Sequence, residues 1–136
     1  MMNTEKEILI IDDDSRNIFA LTAVLKAKKY QCISAVSAVK GLELLEENKN
    51  IGAVLMDMMM PEMDGYEAIG KMKSNTMLQK IPVIAITAQA MTGDREKCLE
   101  AGADGYISKP VNVDELLVLL KKLIDYAEEK KEFGII

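Results

Sequence analysis

Five short apolar runs, each followed by a stretch with helical apolar spacing, organise this chain and restrict it to few folds. The runs fall at 7–12, 31–35, 51–57, 82–87 and 104–107. Strand and helix alternating five times imply a parallel sheet with right-handed crossovers and helices on both faces. Strands buried on both faces read as continuous apolar stretches, and 8–11 (Ile-Leu-Ile-Ile) and 83–86 (Val-Ile-Ala-Ile) do so. In such open sheets the binding crevice lies beyond the carboxyl ends of the strands. Asp12, Asp13, Asp57, Thr87 and Lys109 all stand at those ends.

Between the strands the helices carry their own signals. Asp14 or Ser15 caps a first helix whose apolar face reads Ile18, Leu21, Thr22 and Leu25. A second helix over 38–48 turns Val39, Leu42 and Leu45 inward. The Met- and Pro-rich turn 58–64 leads through Gly65 into a third helix ending near 74, and a fourth over 92–101 is stopped by Gly102. The last helix begins near Asn112 and buries Leu116, Leu117, Leu120, Leu123 and Ile124. We expect one domain over 7–125, a lead at 1–6, and a charged tail or helix extension at 126–136.

Composition narrows function. A net charge of −5, with 17 basic residues spread along 136, argues against a nucleic-acid surface and for protein partners. No apolar run reaches the ~18 residues of a membrane span, and the first seven residues lack a signal-peptide core, so a cytoplasmic protein without membrane contact is expected. Cys32 and Cys98 show no ligand spacing and read as reduced apolar side chains. The chain has no histidine, which excludes Ser-His-Asp and Cys-His catalysis, ordinary zinc sites and a phosphohistidine of its own. Chemistry is left to carboxylates, hydroxyls, lysine and metal. Carboxylates gathered at buried strand ends need a cation or a proton, and an oxygen-only donor set favours Mg²⁺. Lys109 adds a point charge suited to a phosphoryl oxygen.

Four motifs together carry a family resemblance: Ile-Ile-Asp-Asp-Asp-Ser at 10–15, Met-Asp-Met-Met-Met-Pro-Glu-Met-Asp-Gly at 56–65, Ile-Ala-Ile-Thr-Ala at 84–88 and Tyr-Ile-Ser-Lys-Pro at 106–110. Over about 7–123 the chain resembles the receiver domain of two-component response regulators. The resemblance implies a flavodoxin-like (CheY-like) doubly wound α/β fold, a five-stranded parallel sheet of order 2-1-3-4-5 with five helices. It implies Asp57 as phosphoacceptor from a phosphohistidine, and Asp12, Asp13, Asp57 and the Met59 carbonyl as Mg²⁺ ligands. Thr87 and Lys109 would bond phosphoryl oxygens, and Tyr106 would be the aromatic switch that follows Thr87. The small Ala88 would leave access to the site, Met59 and Gln89 would flank the attacking water, and Lys109–Pro110 would be cis. The implied partner is a sensor histidine kinase or a histidine phosphotransfer protein, and the implied chemistry is self-catalysed rather than that of a turnover enzyme. The stretches 14–21 and 93–102 resemble receivers of hybrid sensor histidine kinases. With no output segment after residue 136, the signal is expected to leave through the fourth helix, fifth strand and fifth helix, or by phosphoryl hand-off.

Competing readings stand beside these. Asp14 reads as a helix cap rather than a metal ligand, and Asp64 with Gly65 as helix entry. Met58, Met59, Met60 and Met63 read as gap-filling side chains. A metal-dependent phosphatase with an aspartate nucleophile is the alternative function, since Asp12-Asp13-Asp14 superficially resembles its DxDx[T/V] motif. Arg16 stands where that motif wants Thr or Val. A flavodoxin would need a hydroxyl-rich phosphate loop after the first strand, which is missing.

Overall fold

The computed structural model describes residues 6–88 and 92–132, the last seven by backbone alone. Its elements follow in the order β1 (Glu7–Ile11), α1 (Ser15–Ala27), β2 (Gln31–Ala35), α2 (Ala38–Glu47), β3 (Ile51–Asp57), α3 (Gly65–Lys73), β4 (Val83–Thr87), α4 (Asp94–Ala101), β5 (Gly105–Ser108) and α5 (Val113–Glu132). All neighbouring strands pair in parallel, in the order β2-β1-β3-β4-β5. The five-stranded doubly wound fold is the one expected.

Successive strand residues point to opposite faces, which divides the apolar runs between two cores. Leu9, Ile11, Val54, Met56, Val83 and Ala85 face α2, α3 and α4, where Leu45, Ile69, Met72 and Cys98 meet them. Ile8, Ile10, Leu55, Ile84 and Ile86 face the other way, onto Leu21 and Leu25 of α1 and Leu116, Leu120 and Ile124 of α5. Each such side chain, fully buried, contributes about 1.5–3 kcal/mol. Truncating one, Leu120→Ala on α5 for instance, is expected to cost about 2–5 kcal/mol through transfer and cavity effects.

Side-chain caps start the helices that position the strand ends. Asp14 caps α1 by accepting from the Arg16 N–H at 2.9 Å, Ser37 caps α2 through the Lys40 N–H at 3.2 Å, and Asp64 caps α3 through the Glu67 N–H at 2.9 Å. Helix α4 ends at Gly102, whose φ of 117° is the left-handed conformation that glycine adopts without strain.

Four details differ from expectation. Val39 is 50% exposed, whereas the buried residues of α2 are Ala38, Gly41 and Leu45, with Leu42 and Leu44 flanking. The cause is Gly41: a Cβ there would overlap the Ile11 side chain, so the helix lies close to the sheet on its small residues and rotates Val39 outward. Strand β1 stops at Ile11, leaving Asp12 just past it, and β5 is shifted one residue toward Ser108. Helix α4 begins two residues later than expected, at Asp94. Of the two readings of the segment after 125, tail or helix extension, residues 126–132 follow the second, with helical backbone continuous with α5.

Candidate functional site

Strand register brings the named groups side by side. Ile11 pairs with Met56, so Asp12 stands level with Asp57; Asp57 pairs with Ile86, one residue before Thr87; Thr87 pairs with Ser108, one before Lys109. Backbone bonds continue the row beyond the strands, from Asp12 N–H to the Ala35 carbonyl at 3.1 Å and from Lys109 N–H to the Thr87 carbonyl at 2.8 Å. The Lys109–Pro110 bond is cis, as expected.

The acidic cluster lies at the head of this row. One carboxylate oxygen from each of Asp12, Asp13 and Asp57 falls within 4.8 Å of the others. Asp12 and Asp57 are 3% and 4% exposed, and Asp13 faces solvent. The Lys109 ammonium lies 3.6 Å from Asp12 Oδ2 and 3.8 Å from Asp57 Oδ1, close enough to pair but beyond good hydrogen-bond distance. Each buried acid is also oriented by its own loop: the Asp14 N–H donates to Asp12 Oδ1 at 2.8 Å, and the Met59 N–H donates to Asp57 Oδ1 at 3.1 Å. Burial pushes the Asp57 carboxyl up from 3.8 to about 6; the Met59 N–H opposes this, Asp12 reinforces it, Lys109 opposes it and Asp13 adds to it.

Three carboxylates and one ammonium leave two negative charges when all are ionised. That residue of charge, presented by oxygens alone and partly open at Asp13, fits a hard divalent cation. Asp14 takes no part: it accepts from both the backbone and the guanidinium of Arg16, which hold its carboxyl below the usual range. The second acid of the phosphatase motif is therefore a helix cap, as read.

The remaining candidates divide. Thr87 is fully buried at the end of β4, next to the cluster in the row, and Ala88 after it is exposed. Met58 and Met60 are buried and Met63 partly so, but the Met59 side chain is 49% exposed and fills no gap. Gln89 lies outside the described residues. Tyr106 is half-buried, and its hydroxyl donates to Asp94 Oδ2 at 3.0 Å. Two contributors escaped the sequence reading. Asn17 offers its amide to Asp12 Oδ2 at 3.4 Å, and Asp94 gathers the hydroxyls of Tyr66 and Tyr106. Asn17 sits one turn into α1 on the side of its cap, a position that helical spacing alone could have pointed to.

The family model of the response regulator receiver domain matches residues 8–121. The chain belongs to that family. It is the receiver domain of a two-component system, and relatives agree over nearly its whole length. The polar-differentiation response regulator DivK of Brucella ovis is 34% identical over 119 residues, covering 88% of this chain and 96% of DivK. A CheY-like receiver domain protein from Methanospirillum hungatei superposes with a TM-score of 0.81 at 33% identity, over 92% of this chain and 98% of its own. The receiver domain of sensor histidine kinase PA1611 from Pseudomonas aeruginosa superposes with a TM-score of 0.80 at 32% identity, over 88% and 98%. That structure carries a magnesium ion coordinated in its active site cleft. The fold of this receiver domain is theirs, and among its described residues no helix is long and apolar enough to cross a membrane.

Proposed function

We propose that Asp57 accepts a phosphoryl group from a phosphohistidine of a sensor histidine kinase or histidine phosphotransfer protein, in the cytoplasm, and that acceptance switches a protein-binding surface. The observation that carries the reading is the placement of the buried Asp57 carboxylate between Asp12, Asp13 and the Lys109 ammonium at the carboxyl edge of the sheet. An Asp57 oxygen attacks phosphorus in line, so that a P–O bond forms as the donor's P–N bond breaks. Lys109, already 3.8 Å from Asp57 Oδ1, pairs with an equatorial phosphoryl oxygen, and the Thr87 hydroxyl bonds another. Asp12, Asp13, Asp57 and the Met59 carbonyl would hold Mg²⁺, which would supply positive charge to offset the charge on the phosphoryl oxygens. Once Thr87 turns toward the phosphoryl group, Tyr106 follows inward and remodels the α4–β5–α5 surface.

The chain would phosphorylate and dephosphorylate itself without turning over phosphate esters, and could belong to a hybrid kinase as well as stand alone. Incubation with Mg²⁺ and acetyl phosphate or phosphoramidate is expected to add one phosphoryl mass to the wild type and none to Asp57→Asn by intact-mass measurement. An equal gain in both proteins removes Asp57 from the role. Turnover of an aryl phosphate ester would return the site to the phosphatase reading.

A further inference from the structure

Asp94, the first residue of α4, is 7% exposed and belongs to no part of the acidic cluster. Its two oxygens serve two different elements. Oδ1 accepts from the Tyr66 hydroxyl of α3 at 3.0 Å, and Oδ2 accepts from the Tyr106 hydroxyl of β5 at 3.0 Å. Among the described residues Asp94 makes no ion pair, so hydrogen bonds carry its burial. Tyr66 is itself held on its other side, where the Cys98 thiol donates to its hydroxyl at 3.7 Å and the Lys97 ammonium lies 5.0 Å over its ring. Burial, and then the bond to Asp94, pushes the Tyr106 hydroxyl up to about 12, in keeping with a donor held against a carboxylate.

The two tyrosines differ in what anchors them. Tyr66 rides on α3, whose Ala68, Ile69 and Met72 are buried in the core. Tyr106 is half-buried on the edge strand of the sheet. Helix α4 between them is short, buries only Asp94 and Cys98, and starts at Gly93 without a side-chain cap. Its first turn therefore depends on the Asp94 bonds more than on packing.

We propose that Asp94 is a latch that couples Tyr106 to the position of α4. With the Tyr106 hydroxyl bound, the first turn of α4 is held against β5; when Tyr106 turns inward, Asp94 keeps Tyr66 alone and that turn is released toward a partner. The proposal deepens the reading of Tyr106 as the switch and rests on it. Asp94 is a positioning residue, and the latch predicts opposite effects on Tyr106 for substitutions at Asp94 and at Tyr66. Asp94→Asn replaces an ionised acceptor with a weaker neutral one and loosens Tyr106. Tyr66→Phe leaves Tyr106 as the one hydroxyl on Asp94 among the described residues and tightens it.

The test compares wild type, Asp94→Asn and Tyr66→Phe labelled with 3-fluorotyrosine, the Tyr106 resonance being assigned by its loss in Tyr106→Phe. Amide exchange is followed at Lys97, whose N–H bonds to the Gly93 carbonyl at 3.0 Å. In Asp94→Asn the Tyr106 resonance is expected to move toward its beryllofluoride-bound position, and Lys97 to exchange about fivefold to tenfold faster, with α5 unchanged. In Tyr66→Phe the resonance is expected to move the other way and the beryllofluoride response to shrink. Wild-type values in Asp94→Asn overturn the latch, as does movement of both variants in one direction, which is what plain destabilisation produces. If Asp94→Asn does not fold, an unchanged or enlarged beryllofluoride response in Tyr66→Phe overturns it alone. Intact mass after acetyl phosphate separates the two ideas, because a wild type that takes no phosphoryl group sinks the reading of Asp57 while the free proteins still report on Asp94.

Discussion

In magnesium-free buffer the Asp57 carboxyl is expected to set a pH dependence of stability whose sign is opposite to that of an ordinary salt-bridged aspartate. Burial raises its pKa from 3.8 to about 6, so between those values the native state holds a proton that the unfolded chain has released. The group's contribution is fully present below the unfolded value and is lost as pH rises through the native one. The whole shift corresponds to about 3 kcal/mol, and about half of it falls between about pH 5 and pH 7.5, where only the native carboxyl still has its proton to lose. Asp57→Asn keeps the shape, is neutral throughout, and removes this contribution. Urea unfolding followed by far-UV circular dichroism, with chelator present, reads the difference; the chain has no Trp to serve as a fluorescent probe. Relative to Asp57→Asn, the wild type is expected to lose on the order of 1–2 kcal/mol from the lower to the higher pH, a midpoint change of roughly 0.5–1.5 M urea. A gap that stays constant with pH, or a wild type that gains, refutes the argument from burial and like charge.

Asp12→Asn or Asp13→Asn is expected to raise the metal-free melting temperature and abolish the Mg²⁺ increment, about 2.7 kcal/mol in the wild type at a hundredfold excess over the dissociation constant; melts with and without Mg²⁺ check this. Lys109→Met removes the ammonium lying 3.6 and 3.8 Å from Asp12 and Asp57, so the Asp57 carboxyl is expected to titrate still higher in the metal-free protein, as carboxyl carbon resonances followed against pH will show. Thr87→Ala is expected to accept a phosphoryl group yet lose most beryllofluoride-induced amide shifts around Tyr106 and α5; a full wild-type set would break the threonine-tyrosine coupling.

The elements readable from sequence are those in which one period dominates. The runs at 8–11 and 83–86 are buried on both faces, so nothing but a central parallel strand suits them, and the polar groups that end them, Asp12 and Thr87, mark the carboxyl edge of the sheet. Asp12, Asp57 and Lys109 were legible because a charge directly after a buried strand is costly enough to need a reason. The stripe of α2 was misread because it depends on Gly41, a contact visible only once Ile11 is opposite it. Asp94 was missed for a related reason. At the start of a helix an aspartate is ordinary, and only the fold brings Tyr66, 28 residues before it, and Tyr106, 12 after it, to the same carboxylate.

Packing also decides which part of the domain can respond to a charge placed on Asp57. In β1 and β3 nearly every residue is buried, with apolar contacts on both faces, so shifting either strand would open cavities in two cores. At one edge of the sheet β5 is four residues long and only half covered, and α4 contributes Cys98 as its one fully buried apolar side chain. A change in the strand-end charges is therefore cheapest to accommodate in β5 and α4; Lys109, which follows β5, pairs with Asp12 and Asp57 of the cluster directly. Native-state hydrogen exchange in the unphosphorylated protein is expected to rank the elements accordingly, with the amides of β1 and β3 opening only on global unfolding and those of α4 opening several kcal/mol earlier. Equal protection of α4 and β3 would mean that α4 is held by more than the two tyrosine bonds and one buried cysteine, and would remove the physical basis for output at this face.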